Sequence, residues 1–134
     1  AQERGADGSP ATGHPAWNAH PIQGWTPDFI PAVLQESIDK GFYDDLIPVA
    51  GPEAIAAARD LASKEGIFTG ISGGATFATM LKVAETAAEG SVLLAMLPDT
   101  GERYLTTPLF EGIAEDMNEE ETALSLSTPN HRMP

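Results

Sequence analysis

Residues 65–81 read EGIFTGISGGATFATML, and the fold turns on how this stretch is read. Its first part, Gly66-Ile67-Phe68-Thr69-Gly70-Ile71, is mostly apolar. After Ser72-Gly73-Gly74 the apolar residues Phe77, Met80, Leu81 and Ala84 recur at helical spacing. The pattern predicts a loop that hands one hydroxyl to the start of a helix. Glycines at 73 and 74 carry no Cβ, so a planar or phosphorylated ligand can approach the backbone there, facing the free N–H groups and positive dipole end of the helix. Ser72 would then meet a polar atom of that ligand. The same three residues also fit a tight turn with Ser72 as a plain N-cap, and in isolation that reading is the stronger one.

The flanking segments predict an α/β class. Residues 91–97, SVLLAML, are apolar at every position after Ser91, as in a parallel strand covered on both faces. A shorter run, residues 46–50 (LIPVA), suits a buried strand whose Pro48 places it near a sheet edge or strand end. Between them Gly51-Pro52-Glu53 opens a helix with Ile55, Ala58, Leu61 and Ala62 along one face, closed by Gly66 at its end. The helix after Ser72 is expected to run to about Ala88 and to stop at Gly90. Strand, helix, loop, helix, strand gives α/β layering. At the carboxyl end of the second strand stand Pro98-Asp99-Thr100-Gly101-Glu102-Arg103-Tyr104, where open α/β sheets place their ligands. A turn with surface charges is an equal alternative for those residues.

Towards the N-terminus, residues 1–19 are rich in Gly, Ala and Pro and show no periodicity, so they are expected to be irregular, with something ordered preceding Ala1. Gly24, between Gln23 and Trp25, suits the wall of a ligand cleft. Thr26-Pro27-Asp28 is expected to begin a short helix, Thr26 as its N-cap and Phe29, Ile30, Val33 and Leu34 as its buried stripe. Asn118 is expected to cap a last short helix that opens on three glutamates, and residues 127–134 to be a loose tail.

Composition narrows the function classes. The chain has 134 residues, 20 acidic against 7 basic, and a formal net charge of -13, which argues against nucleic acid or an anionic membrane as a partner. No apolar run approaches the length of a membrane span, and a soluble chain is expected. The absence of cysteine removes disulfides, thiolate ligands and a catalytic thiol. His14, His20 and His131 are too scattered for a metal site, and none is expected.

Three ordered stretches, HPIQGW with DFIP, then EGIFTGISGGATFATMLKVAE, then LLAMLPDTGERYLTTPLF, together resemble the C-terminal part of cysteine synthase (O-acetylserine sulfhydrylase) over roughly residues 20–110. That family comprises pyridoxal-phosphate enzymes of the tryptophan-synthase β-like fold. The resemblance implies part of the larger, C-terminal domain of a fold-type II enzyme, mostly parallel sheet with helices on both faces. Residues 1–19 would then be an irregular loop, 20–113 catalytic domain, and 114–134 a C-terminal helix and tail. Pyridoxal 5'-phosphate is the implied cofactor. Ser72 corresponds to the serine that hydrogen-bonds its pyridine nitrogen, Pro98 and Asp99 to the segment beside its ring, and Gly24 to a glycine of the substrate cleft. The family's G-I-G-A-G run reads Gly24-Trp25-Thr26-Pro27-Asp28 here, and its S-S-G reads Ser72-Gly73-Gly74.

The implied reaction replaces the acetoxy group of O-acetylserine by sulfide to give L-cysteine. No catalytic residue is assigned within the chain, because the Schiff-base lysine, the substrate loop and the phosphate cradle of the family lie upstream of these stretches. Lys40, Lys64 and Lys82 lack the expected neighbours, so the chain alone is expected not to turn over. The resemblance further implies a homodimer in the cytoplasm that can dock serine acetyltransferase. A cystathionine β-synthase-like enzyme or lyase is the alternative within the class, and a non-catalytic, partner-binding fragment the alternative outside it.

Overall fold

Small side chains let two helices of the molecule approach closely. The computed structural model describes residues 3–9, 13, 15–22, 24–25 and 27–127. Its four α-helices among those residues are α1 (Ala32–Asp39), α2 (Gly51–Glu65), α3 (Ile71–Ala84) and α4 (Glu119–Ser127). Helix α2 buries Ala54, Ala58 and Leu61, and α3 buries Ile71, Gly73, Gly74, Ala75 and Ala78. At Gly74 an added Cβ would lie 2.7 Å from the Ala58 nitrogen and 2.8 Å from the Ala58 Cβ, and closer still to the Ala54 carbonyl oxygen. The two helix backbones therefore touch where α3 carries glycine. Ile22 and Leu109 complete the buried cluster, with Val49, Ile55, Tyr104 and Phe110 packed against it.

Helix α2 follows its sequence signals. Pro52 lies in the first turn, Glu53 stands at the positive dipole end, and Gly66 ends the helix at a left-handed φ of 69°. Arg59 then fastens the distant 108–111 loop to α2. Its Nε donates to the Leu109 carbonyl at 2.8 Å, and Nη2 donates to the carbonyls of Pro108 and Glu111 at 2.8 and 3.0 Å. Phe68 and Phe110 meet edge to face at 5.6 Å beside that loop.

Four expectations differ from the structure. Helix α1 begins at Ala32 with Pro31 as its N-cap, not at Pro27, and none of its residues is buried. Pro31 would sit four residues into a helix begun at Pro27, where its ring clashes with the preceding turn and lacks a donor. Of the expected stripe Phe29, Val33 and Leu34 are exposed, Val33 to 77%, and Ile30 is half-buried; Thr26 lies outside the described residues. Helix α3 ends at Ala84, and 85–90 form turns closed by Gly90 at φ 84°. Beyond Ile71 its buried face carries Gly74, Ala75 and Ala78, whereas Leu81 is exposed, because only small residues admit the α2 backbone. No strand forms among the described residues: 46–50 and 91–97 carry no ladder, and an isolated antiparallel bridge joins Thr69 to Thr100. An extended run becomes a strand only with a hydrogen-bonding partner alongside.

Asn118 does cap α4. Its Oδ1 accepts from the Glu121 N–H at 2.9 Å, and the Glu121 carboxylate accepts from the Asn118 N–H at 2.8 Å. The tail at 128–134, His14 and Gln23 lie outside the described residues.

Candidate functional site

Two loop segments are strapped together at the N-terminal end of α3. The Thr69–Thr100 bridge is reinforced by the Gly101 N–H donating to the Phe68 carbonyl at 3.3 Å and by Thr69 Oγ1 donating to the Asp99 carbonyl at 3.2 Å. Beside this strap opens a cleft of about 660 Å³. Gly24, Ser72, Pro98 and Asp99 all line it, together with Trp25 and Tyr104. The four residues singled out in the sequence, 24 to 99 in number, thus face one space.

Ser72 lies one residue inside α3, not at its cap. Gly70 is the N-cap, and no side chain caps the helix. The Ser72 hydroxyl is therefore not spent on its own backbone, and the residue is 8% exposed. Gly73 and Gly74 serve a different end from the one expected: a Cβ at Gly73 would collide with the Thr69 side chain, and Gly74 admits α2. The close approach that they permit is that of protein to protein, and the ligand side of the turn belongs to Ser72.

Gly70 is the glycine that the site itself requires. A Cβ there would meet the Tyr104 ring, and Asp99 Oδ1 at 2.5 Å. Tyr104 lies in a 3-10 turn, Gly101–Tyr104, and its backbone carbonyl accepts from Thr107 Oγ1 at 2.6 Å and from the Thr107 N–H at 2.9 Å. Its phenol donates to Asp99 Oδ2 at 2.7 Å. That bond, then burial and the Asp99 charge, raise the Tyr104 pKa above the usual 10.0, against smaller lowering effects of a Ser72 hydrogen bond and the Arg103 charge. The other carboxylate oxygen, Asp99 Oδ1, is buried without a hydrogen-bond partner among the described residues. Sequence reasoning named Tyr104 only within the 98–104 stretch, without a role of its own, and passed over Gly70. The signal for the tyrosine lay in its position five residues after Asp99, within one tight turn; for Gly70 no local signal existed.

The three lysines stand apart from the cleft. Lys40, Lys64 and Lys82 pair with Glu36, Asp60 and Glu53 at 2.5, 2.8 and 2.8 Å, and none lines the cleft. Arg103, at the cleft wall, is exposed. Chemically the site offers a neutral hydroxyl, a phenol whose proton is committed to a carboxylate, one unfilled buried acceptor, and apolar walls from Ile71, Pro98 and Trp25. Those features suit the ring of a planar heteroaromatic group with a polar ring atom, and among the described residues that line the cleft there is no primary amine able to form an imine.

Known proteins resemble the chain in sequence and in structure. Over 99 residues, 74% of this chain, it is 56% identical to O-ureido-L-serine synthase from Streptomyces lavendulae, covering 29% of that protein. Over 106 residues, 79% of this chain, it is 37% identical to a probable cysteine synthase from Bacillus subtilis (strain 168), covering 33% of it. Among solved structures, a mutant of O-ureido-L-serine synthase with O-ureido-L-serine bound matches with a TM-score of 0.70 and 52% identity, over 84% of this chain and 33% of the other. A cysteine synthase from Entamoeba histolytica matches with a TM-score of 0.53 and 29% identity, over 92% of this chain and 30% of the other. The chain thus spans about a third of the length of the relatives it matches. No protein-family model matches it.

Proposed function

Homology places this chain in the cysteine-synthase family, whose members depend on pyridoxal phosphate, and from that premise we propose that it supplies the ring-nitrogen side of the cofactor site in a synthase that replaces the β-substituent of an O-acylated L-serine. The observation that carries this reading is the convergence of Gly24, Ser72, Pro98 and Asp99 on one cleft. The residues fit the ring of the group: a hydroxyl free of capping duty, flat apolar walls and an unfilled buried acceptor at Asp99 Oδ1. When bound, the cofactor supplies the electron sink that eases loss of the α-proton and departure of the β-substituent.

The work of this chain's own residues follows from their chemistry. Ser72 meets the ring nitrogen through a neutral hydroxyl, so it anchors the ring without placing a full negative charge against it, which suits β-elimination and re-addition better than a direct carboxylate would. Pro98 and Ile71 bound the ring space, and the strap at Thr69 and Thr100 fixes Pro98 and Asp99 relative to α3. Gly24 and Trp25 form the wall on the substrate side. The lysine that takes the α-proton belongs to residues outside 1–134. Residues 20–113 act as catalytic-domain sequence, 46–50 and 91–97 take up sheet positions against the rest of the polypeptide, and the enzyme is a cytoplasmic homodimer open to serine acetyltransferase.

Sulfide as nucleophile gives L-cysteine. A second reading of the nucleophile is favoured by one observation, the 56% identity to O-ureido-L-serine synthase against 37% to the probable cysteine synthase. There the new bond joins Cβ to the oxygen of hydroxyurea. The test is product analysis with the full chain, O-acetyl-L-serine, and sulfide or hydroxyurea in turn. Either product with a visible cofactor band supports β-replacement, and the more efficient nucleophile settles the choice. A protein with no cofactor band and no product overturns the proposal.

A further inference from the structure

The basic side chains of this acidic chain are mostly committed. Lys40, Lys64 and Lys82 sit in salt bridges, Arg4 donates to the carbonyls of Gly8 and Ile30, and Arg59 donates to those of Pro108, Leu109 and Glu111. Among the basic side chains of the described residues, Arg103 alone makes neither a hydrogen bond nor a salt bridge with them. Its backbone is nonetheless fixed. Arg103 stands inside the Gly101–Tyr104 turn, between the Gly101 N–H bonded to the Phe68 carbonyl and the Tyr104 phenol bonded to Asp99. An exposed guanidinium on an anchored base thus lines the cleft.

No other described residue of the cleft offers a charge to solvent there. The Asp99 carboxylate is turned inward, Oδ2 taken by Tyr104 and Oδ1 buried, and the Tyr104 phenol, its pKa raised, is neutral. Glu102 does not line the cleft. A chain with a formal net charge of -13 repels small anions. The charged donor that an anion meets in this cleft is therefore the Arg103 fork, whose parallel N–H groups match a carboxylate. The reaction read above releases such an anion. As the base takes the Cα proton, the Cβ–O bond breaks and its electron pair leaves on the acyl oxygen as a carboxylate.

We infer that Arg103 is the binding residue for the carboxylate that leaves Cβ, holding it in the cleft wall as it departs. The inference rests on the reading of the reaction as β-replacement on an O-acylated serine, and it holds for either nucleophile. Binding is reversible, so free acetate should return to the same guanidinium. The α-carboxylate of the amino acid has the same chemistry, and the test separates the two.

The test uses the full chain with its cofactor. Binding of acetate is read by saturation-transfer NMR beside two probes: L-serine, which keeps the α-carboxylate and lacks the acyl group, and acetamide, which keeps the shape of acetate without its charge. Arg103→Gln should weaken acetate about tenfold, the lower end for hydrogen bonds to a charged group that water still reaches, and leave L-serine and acetamide unchanged. Arg103→Lys keeps the charge but loses the fork, and should fall between. Added salt should narrow the gap between wild type and Arg103→Gln. The side chain is exposed, so the variant should fold, and an unchanged cofactor band checks that it does. Acetate that binds wild type and Arg103→Gln alike, or that does not bind the wild type, overturns the inference. So does L-serine weakened as much as acetate, which would give the guanidinium to the α-carboxylate. A wild type that makes no product from O-acetyl-L-serine brings down the reaction and the leaving-group role with it; one that turns over while Arg103→Gln binds acetate normally brings down the inference alone.

Discussion

Residues 71–78 and residues 91–97 are both runs of apolar and small side chains, and they meet opposite fates. In the first, Ile71, Ala75 and Ala78 are buried against α2. In the second, Val92 and Leu94 are each 95% exposed. The difference lies in where the partner is found along the chain. Helix α2 precedes α3 by a short loop, so a helical hairpin covers its own apolar face with local chain. A strand position has no such neighbour, and among the described residues the 91–97 run is tied down by Thr76 Oγ1 donating to the Met96 carbonyl. Apolar character states that a surface is to be covered; it does not say by what.

The sharpest way to break the first region is to thicken the seam. Gly74→Val would drive a branched side chain into the Ala54 carbonyl and the Ala58 backbone. Overpacking of this kind costs about 1–3 kcal/mol and more where backbone must move, so the expected loss is about 3 kcal/mol, seen as a lower midpoint in urea. An unchanged midpoint would mean that the α2–α3 contact is looser than its geometry. The cleft should suffer with it, since Ser72 is held by the same turn of α3.

Leu94→Ser probes the second region and the proposal attached to it. On the 134-residue chain the change should lie within about 0.5 kcal/mol, as for other surface substitutions. In the full chain, if 91–97 occupies a covered strand position, losing a buried leucine side chain should cost about 2–3 kcal/mol. Equal, small effects in both would show that the run stays in solvent, and the sheet proposal would fail.

The same contrast explains what was legible in the sequence. Helix α2 was readable end to end because its signals are local: Pro52 and Glu53 at the start, Gly66 at the end, and Ala58 and Leu61 on the inner face. The cap on α4 was readable for that reason too. The four candidate site residues, each named from its chemistry or position and again through the resemblance, line one cleft. What escaped was set by distance in the chain. The α3 face was misread because Phe77, Met80 and Leu81 are more apolar than Gly74 and Ala78, yet closeness to α2 selected the small residues. Gly70 and Tyr104 could not be paired from sequence, since what joins them is the strap between 69 and 100.

A smaller effect is expected where charge joins α3 to the start of α2. Lys82 on α3 reaches Glu53 in the first turn of α2 at 2.8 Å and extends to the Pro48 carbonyl at 3.4 Å. The Lys82 hydrogen bond, more than its charge, lowers the Glu53 pKa below the ordinary 4.5. A lowered acid stabilises the fold above its unfolded value and loses that contribution as pH falls through the folded one. Lys82→Ala should therefore lower the melting temperature slightly at pH 7, and the difference from the wild type should close below pH 4.5. Added salt should shrink it as well, because both side chains face solvent. A gap that persists at pH 3 would assign the effect to packing of the lysine stem.

The smallest global effect should come from α4, although the local one is large. Asn118 and Glu121 exchange two hydrogen bonds across the first turn, and Glu119, Glu120 and Glu121 sit at the favourable dipole end. No residue of α4 is buried, so the helix has little but its cap and its first turn to hold it. Asn118→Ala removes about 1 kcal/mol of capping. In α2, where Ala54, Ala58 and Leu61 anchor the helix, such a loss would spread into the global stability. In α4 it should stay where it is made: amide exchange of residues 119–127 should quicken about fivefold at that energy, while the urea midpoint stays put. A shifted midpoint would show that α4 is coupled to the core through contacts that its exposed side chains do not display.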